Sequence, residues 1–396
     1  MSRIGVIGAG IGGLAAALSL LQRGLDVDVY EQAPQLGEVG AGIQISPNGT
    51  RVLYALGLEE ALDRVEVRPS RRQIRHWSTG ETWDWFELGA RTTQRYGTPH
   101  VMLHRADLHG LLAAAVLRLK PDAVHLARRC SGVAQCDGEA EIRFETGDPV
   151  RAAYVIGADG IHSKIRESLF GPDRPEFTGV VAWRAVVPMQ SLPPHIAQMI
   201  GTNWLGPKGH VLHYPIRRGE LMNFISLVER DDWQVESWTV AGTTRELADD
   251  YAGWHPDVHA IIRNIAMPFK WALMVRGPMP RWSKGRITLL GDACHPILPF
   301  LGQGGVMAIE DGYVIAACLA KYFADPATAL ARYEEIRKER SSAVVRASHE
   351  NRKQVFSPAL AAKDAIAAEV AREWRQVRLR ERFEWLYAYD ATAAAV

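Results

Sequence analysis

Glycines at 8, 10 and 13 make a Gly-x-Gly-x-x-Gly spacing, and Glu31 follows the last of them by 18 residues. Each glycine has its own use in holding a pyrophosphate. Gly8 permits a tight turn, Gly10 lets the backbone approach the phosphates, and Gly13 lets helix and strand pack closely. A helix opening behind such a loop offers free N–H groups and the positive end of its dipole to that charge. A carboxylate at position 31 suits both hydroxyls of an unphosphorylated adenosine ribose, which points to NAD or FAD rather than NADP. Far along the chain, His210 and Tyr214 stand at i and i+4 in His210-Val211-Leu212-His213-Tyr214-Pro215. Even offsets share a strand face, so His210, Leu212 and Tyr214 point one way and His213 the other. An imidazole titrating near neutrality suits a general base. A structural, hydrogen-bonded histidine is the alternative.

These groups need elements to position them. An apolar run at 4–7, helical spacing over 14–22 and a second strand at 27–30 give β-α-β, with Gly24 as the helix C-cap. A helix is expected from about 106 to 120. An apolar strand at 153–156 runs into Gly157-Ala158-Asp159-Gly160, and a helix opens near 162–169. Between about 175 and 275 the texture turns β-rich, with runs at 180–189, 211–215 and 222–228 broken by Pro and Gly. A buried strand at 285–290 ends at Gly291-Asp292, and helical periodicity dominates from 303 on, through 327–348 and 359–382. The expected fold class is α/β. A Rossmann-type dinucleotide domain, split into 1–70, 100–175 and 278–350, carries an inserted, mostly antiparallel sheet domain (71–99 and 176–277). A helical segment at 351–396 follows.

Composition excludes several other classes. The chain has 396 residues, 47 % hydrophobic and 23 % charged, which argues against global disorder. Lys+Arg of 46 against Asp+Glu of 45 gives +1 and no electrostatic case for nucleic acid or a membrane surface. Four scattered cysteines without a CxxC pair form neither a disulfide framework nor a zinc site, so no metal is expected. The apolar stretch at 4–21 carries too many glycines for a signal peptide or a membrane span. A cytoplasmic protein is expected.

Three motifs in order resemble one family. Gly157-Ala158-Asp159-Gly160-Ile161-His162-Ser163-Lys164-Ile165-Arg166 looks like the Asp-Gly motif of the single-component flavin aromatic hydroxylases. Gly291-Asp292-Ala293-Cys294-His295-Pro296 looks like that family's Gly-Asp motif, and the N-terminal fingerprint completes the set over residues 1–350. The resemblance implies FAD in the glycine loop, NADH or NADPH as a transient reductant without a domain of its own, and insertion of one oxygen atom of O2 into an activated ring through a flavin C4a-hydroperoxide. It places Asp292 at a ribityl hydroxyl, Asp159 near the pyrophosphate and Arg105 against FAD. The residues by themselves leave Asp292 and Asp159 open as helix caps and Arg105 as an exposed helix charge. The loop at 40–44, with Gly42, resembles the family's loop beside the ribityl chain. Gln303-Gly304-Gly305 opens a helix whose N-terminus can stabilise negative charge on the reduced flavin ring. His295 reads as a buttress of that loop.

For the substrate, the resemblance sets His210 and Tyr214 against the ring and turns the Pro299 carbonyl toward a phenolic oxygen. The stretch 298–304 is closest to salicylate hydroxylase-like enzymes, so a small, salicylate-like phenolic acid is the expected partner. A 3-hydroxybenzoate 6-hydroxylase and a 6-hydroxynicotinate 3-hydroxylase are alternatives. The former tend to carry Gln where Pro299 stands, the latter His where Gln44 and Phe300 stand. Phe300 and Trp183 are expected to line an apolar pocket, with Arg184 either on a substrate carboxylate or in a salt bridge on the sheet. An FAD-linked dehydrogenase or reductase without oxygen insertion is a further alternative, and a homodimer is slightly favoured.

Overall fold

All four residues of Ile4–Ile7 are buried, which fits an inner strand of a parallel sheet covered on both faces. In the computed structural model, which describes residues 3–37, 41–230, 232, 240–356, 360, 383–394 and 396, that strand lies between Val27–Tyr30 and Tyr154–Gly157, parallel to both. Ile287–Leu289 extends the sheet on one side and Val124–His125 on the other, again parallel, and Ser283–Lys284 adds an antiparallel edge. Strands from three separate stretches of chain thus build one sheet. The helix Ile11–Gln22 packs against the later helix Gly304–Lys321, and small residues set the distance between them. A Cβ at Gly312 would lie 2.7 Å from the Ala16 nitrogen, and one at Gly12 would lie 2.9 Å from the Ala308 methyl. That approach holds both helix N-termini at the same edge of the sheet.

The β-rich stretch forms the second sheet, of eight strands. Its order is Val240–Ala241, Phe269–Val275, Glu176–Pro188, Leu221–Glu229, Gly209–Ile216, Gly201–Gly206, Arg71–His76 and Thr82–Glu87. Only the pairing of Gly201–Gly206 with Arg71–His76 is parallel. One face buries Trp183, Trp204 and Phe224 in a core completed by Tyr251, Trp254, Val258 and Ile261, carried on or beside the helices Thr244–Asp250 and Pro256–Arg263. The other face turns to the first sheet.

Several element bounds shift from the sequence expectation. The helix expected near 162 begins at Lys164, because Ser163 is its N-cap and accepts from Arg166 N at 2.9 Å. The helix expected over 327–348 is longer, a single run Pro326–Val355. The helix expected over 359–382 lies outside the described residues but for residue 360. Among the described residues, no helix is long and apolar enough to cross a membrane.

Candidate active site

A cavity of about 880 Å³ opens between the two sheets. Of the residues singled out in the sequence, Gly8, Gly10, Glu31, Gly42, Arg105, Asp159, Asp292, Gln303, Gly304 and Gly305 line it from one side. His210, Tyr214 and Pro299 line it as well; Gly13 does not. Its role is packing: a Cβ at Gly13 would sit 2.0 Å from the Gly8 carbonyl oxygen. Gly8 has φ +102 and a Cβ there would meet the Ala158 carbonyl oxygen at 2.4 Å, so no other residue fits. At Gly10 nothing lies within 4 Å of the Cβ position. That open side, at the N-cap of Ile11–Gln22 with no side-chain cap, is the cradle a pyrophosphate needs. Glu31 is held by the loop itself, accepting from Ala9 N at 2.7 Å and Ala33 N at 2.9 Å.

Asp292 follows the strand Ile287–Leu289 across a turn in which Gly291 takes φ +60. The carboxyl opens onto the cavity yet lies deep within it. Burial therefore raises its pKa against the opposing pull of His295 and Arg105. No side-chain cap forms at that turn, so the helix-cap alternative for Asp292 does not apply. For Asp159 it does. Its carboxylate accepts from Ser163 Oγ at 2.6 Å and Lys164 N at 2.7 Å, and these bonds offset part of the rise that burial imposes on its pKa. Arg105 starts the helix Arg105–Leu119 and donates its backbone N–H to the Ala41 carbonyl at 2.8 Å. Gln303 is buried and ties the start of its helix to the Ser46 turn through Ser46 Oγ (2.9 Å) and Asn48 Nδ2 (3.2 Å).

The loop beneath Asp292 is braced by charges the sequence alone did not connect. His295 Nε2 lies 2.5 Å from Asp311 Oδ2, which also accepts from Gly291 N at 3.0 Å. Arg337 Nε donates to Asp311 Oδ1 at 2.8 Å and its Nη1 lies 2.6 Å from Glu310, which Arg340 also meets at 2.9 Å. Burial would raise the Asp311 carboxyl, but His295 and Arg337 outweigh it and hold it at about 2. Cys294, His295 and Asp311 bring donor atoms within 4.8 Å of one another. The Asp311 carboxylate is already matched by Arg337. Two further braces come from Pro326–Val355: Ser348 Oγ donates to the Leu298 carbonyl at 2.7 Å and Asn351 to the Phe300 carbonyl at 2.6 Å. They fix the Pro299 turn, where the Pro299 carbonyl accepts from Gly302 N at 3.1 Å.

The wall opposite is the second sheet. His210 pairs with Leu227, and Leu227 with Ala182. Residues of that parity face the cavity. Trp183 therefore faces away, and the expected pocket of Phe300 with Trp183 is not formed. The Trp183 indole N–H donates to Asp250 at 2.7 Å within the far-side core. Phe300 does line the cavity, with Trp271, Ile225 and Leu227. Arg184 shares the cavity-facing parity, but its guanidinium lies over Trp271 (5.5 Å) and Phe269 (5.9 Å) and does not line the cavity.

The expectation that His210 titrates near neutrality is corrected. Burial, with the Arg72 charge beside it, pushes its pKa down to about 3. Both ring nitrogens lack a hydrogen-bond partner, so it is not the satisfied structural histidine of the alternative either. Tyr214 is buried and held protonated, burial outweighing Arg72 and a hydrogen bond with Gln44. His213 accepts from the Trp204 indole at 3.2 Å on the other face, as the strand alternation implies. Among the cavity residues that escaped sequence reasoning are Arg72 and Asn203. Arg72 lies in Arg71-Arg72-Gln73-Ile74-Arg75-His76, a polar strand without apolar alternation, so no periodic signal marked it.

Comparison with known proteins agrees with this geometry. Residues 1–348 match a family model described as an FAD binding domain. The chain is similar to 3-amino-4-hydroxybenzoate 2-monooxygenase of Streptomyces platensis, with 38 % identity over 98 % of this chain and 96 % of that protein. It is also similar to 6-hydroxynicotinate 3-monooxygenase of Pseudomonas fluorescens, 38 % identical over 88 % of this chain and 91 % of that one. A solved salicylate hydroxylase substrate complex superposes with a TM-score of 0.81 at 26 % identity, covering 99 % of this chain and 96 % of the other.

Proposed function

The chain belongs to the family of FAD-dependent aromatic hydroxylases, and from that premise we propose that it hydroxylates a small hydroxylated aromatic acid at the expense of NADH or NADPH and O2. The observation that carries the reading is that one cavity joins a pyrophosphate cradle and the Asp292 carboxylate on one wall to His210, Tyr214 and apolar side chains on the other. The Gly8–Gly13 turn would hold the pyrophosphate, Glu31 the adenosine ribose and Asp292 the ribityl chain, with Arg105 and Gly42 alongside. The N-terminus of Gly304–Lys321 would face the flavin ring, where its dipole favours negative charge. Residues 1–70, 100–175 and 278–350 form the FAD-binding part in this reading, and 71–99 with 176–277 the substrate-binding part.

FAD, when bound, supplies the two-electron reduction and oxygen activation that ring hydroxylation needs. The chain's own residues prepare the substrate. His210 is present as the neutral imidazole; burial and the Arg72 charge make it a weak base, and it would take a phenolic proton only where the bound substrate's own negative charge offsets both. Tyr214, fixed as a phenol, donates a hydrogen bond, and the Pro299 carbonyl retains a lone pair for the substrate hydroxyl. Leu212, Ile225 and Leu227 keep that wall apolar and so limit water. The relatives at 38 % identity are named for an aminohydroxybenzoate and a hydroxynicotinate, so the proposed class is wider than salicylate. Phe300 and Gln44 on the cavity surface favour a benzenoid ring within it.

The test is stimulated NADH and NADPH oxidation across a panel of hydroxybenzoates, aminohydroxybenzoates and hydroxynicotinates, with products identified by mass. A hydroxylated product at near one per reductant is expected for at least one acid. Reductant oxidation that never yields an oxygenated product would instead support the dehydrogenase alternative. In the active pair, His210→Ala should slow hydroxylation by roughly 10²–10⁴-fold with FAD content near normal. An unchanged rate would remove His210 from the proton path.

A further inference from the structure

Buried arginines in this protein generally meet a carboxylate. Arg166 and Arg276 lie against Asp173, Arg337 against Asp311 and Glu310, and Arg340 against Glu310. Arg72, half-buried, has no such partner among the described residues. Its guanidinium stacks on Trp85 at 5.0 Å, its Nε is buried without a hydrogen bond, and the ionisable groups acting on it are the phenols of Tyr214 and Tyr387. The groups around it are equally unmatched. His210 and His100 each lack a partner at both ring nitrogens, and Asn203 lacks one at its buried Oδ1. Arg72, His210, Tyr214 and Asn203 all line the cavity. A cation held partly out of water without a counter-charge is unfavourable, and an anion that completes the site relieves that cost. A guanidinium presents a planar fork of donors that matches a carboxylate through two parallel hydrogen bonds. Arg184, the other arginine of this sheet face, is taken up by Trp271 and Phe269 and is displaced from the cavity.

We propose that Arg72 binds the substrate carboxylate and so makes this site select aromatic acids over the corresponding neutral phenols; the inference rests on the aromatic-acid reading above. It assigns Arg72 to recognition and leaves His210, Tyr214 and Pro299 to the ring hydroxyl.

The experiment uses the FAD-bound protein and three matched pairs of probes that differ only in the carboxylate. These are salicylate with phenol, 3-amino-4-hydroxybenzoate with 2-aminophenol, and 6-hydroxynicotinate with 2-hydroxypyridine. Binding is read from the perturbation of flavin absorbance. In the wild type at least one acid should bind 100-fold or more tighter than its neutral partner. In Arg72→Met that ratio should fall to within about threefold, by loss of acid affinity with the neutral compound unchanged, and Arg72→Lys should lie between. Thermal melting of the protein without substrate provides a second readout: Arg72→Met should melt at the same temperature or higher, because an unmatched charge is removed. A preserved acid preference in Arg72→Met overturns the proposal. So does a large fall in melting temperature with both members of a pair weakened equally, which is the mark of a structural arginine. Failure of every acid to bind the wild type would refute the aromatic-acid reading itself, a result distinct from either.

Discussion

Two groups of buried polar side chains flank the cavity, and they are built on opposite principles. Beneath the Asp292 loop, His295, Asp311, Arg337, Glu310 and Arg340 alternate in charge at 2.5–2.9 Å. On the opposite wall, Arg72, His210 and Asn203 carry cationic or polar atoms with no acid among them. Buried polar groups in folded proteins are normally paired. In the first group each carboxylate faces a cationic partner, which suits a scaffold; the second has no such match at the place where a substrate would enter. A scaffold must be satisfied within itself, whereas a binding site is completed from outside.

The largest effect that could break this comparison lies in the matched group. Arg337→Ala leaves Glu310 and Asp311 buried beside one cation fewer, and should cost about 3–5 kcal/mol of folding stability. Urea unfolding of the variant measures it; a loss under about 1 kcal/mol would place the two groups on the same footing. The next effect concerns Asp292, on which charges but no hydrogen bonds act. Asp292→Ala should weaken FAD binding by about 1.5–3 kcal/mol, the range for a hydrogen bond to a charged group, and leave the apo-protein as stable as before. Glu31→Ala should weaken FAD by a similar amount but also loosen the glycine loop, since Glu31 bonds Ala9 and Ala33. Titration of apo-protein with FAD, paired with melting, distinguishes the two carboxylates; unchanged FAD affinity in either variant would remove that residue from the cofactor site.

The smallest effect is a slope. His210 has a folded pKa of about 3, below its ordinary 6.5. The unfolded chain therefore binds a proton below pH 6.5 that the folded protein declines. Stability from this group is fully present above pH 6.5 and is lost as pH falls toward 3, by about 2 kcal/mol at pH 5. His210→Gln should flatten the decline of unfolding free energy between pH 6.5 and 5. An identical slope would mean that the imidazole is hydrated in the folded protein and that the unmatched group is less dry than its geometry states. Asp311 titrates far from this window: held at about 2, it gives stability present above the ordinary carboxylate range and lost only as pH falls toward 2.

Much of the cavity wall built by the first sheet was legible in the sequence because its information is local. The glycine loop, its helix and Glu31 lie within one contiguous β-α-β unit, and Gly8 and Gly13 are required by backbone geometry that no other residue provides. Asp292 was legible for a similar reason, since it stands at the end of a buried strand. Strand alternation likewise put His210 and Tyr214 on one face and His213 on the other. Alternation carries no information from one strand to the next, however. The register Leu227 to Ala182 turned Trp183 away from the cavity, and no count along the chain could have fixed that register. Arg72 joins the wall through a parallel pairing with Gly201, 129 residues away, from a strand too polar to announce itself. The depressed pKa of His210 depends on that same placement, because burial and a neighbouring guanidinium are properties of three-dimensional proximity. The sequence by itself determined which chemistry the chain carries and which cofactor loop it folds; the packing of one sheet against another decided which side chains are left unmatched inside, because burial and proximity are properties of the folded chain alone.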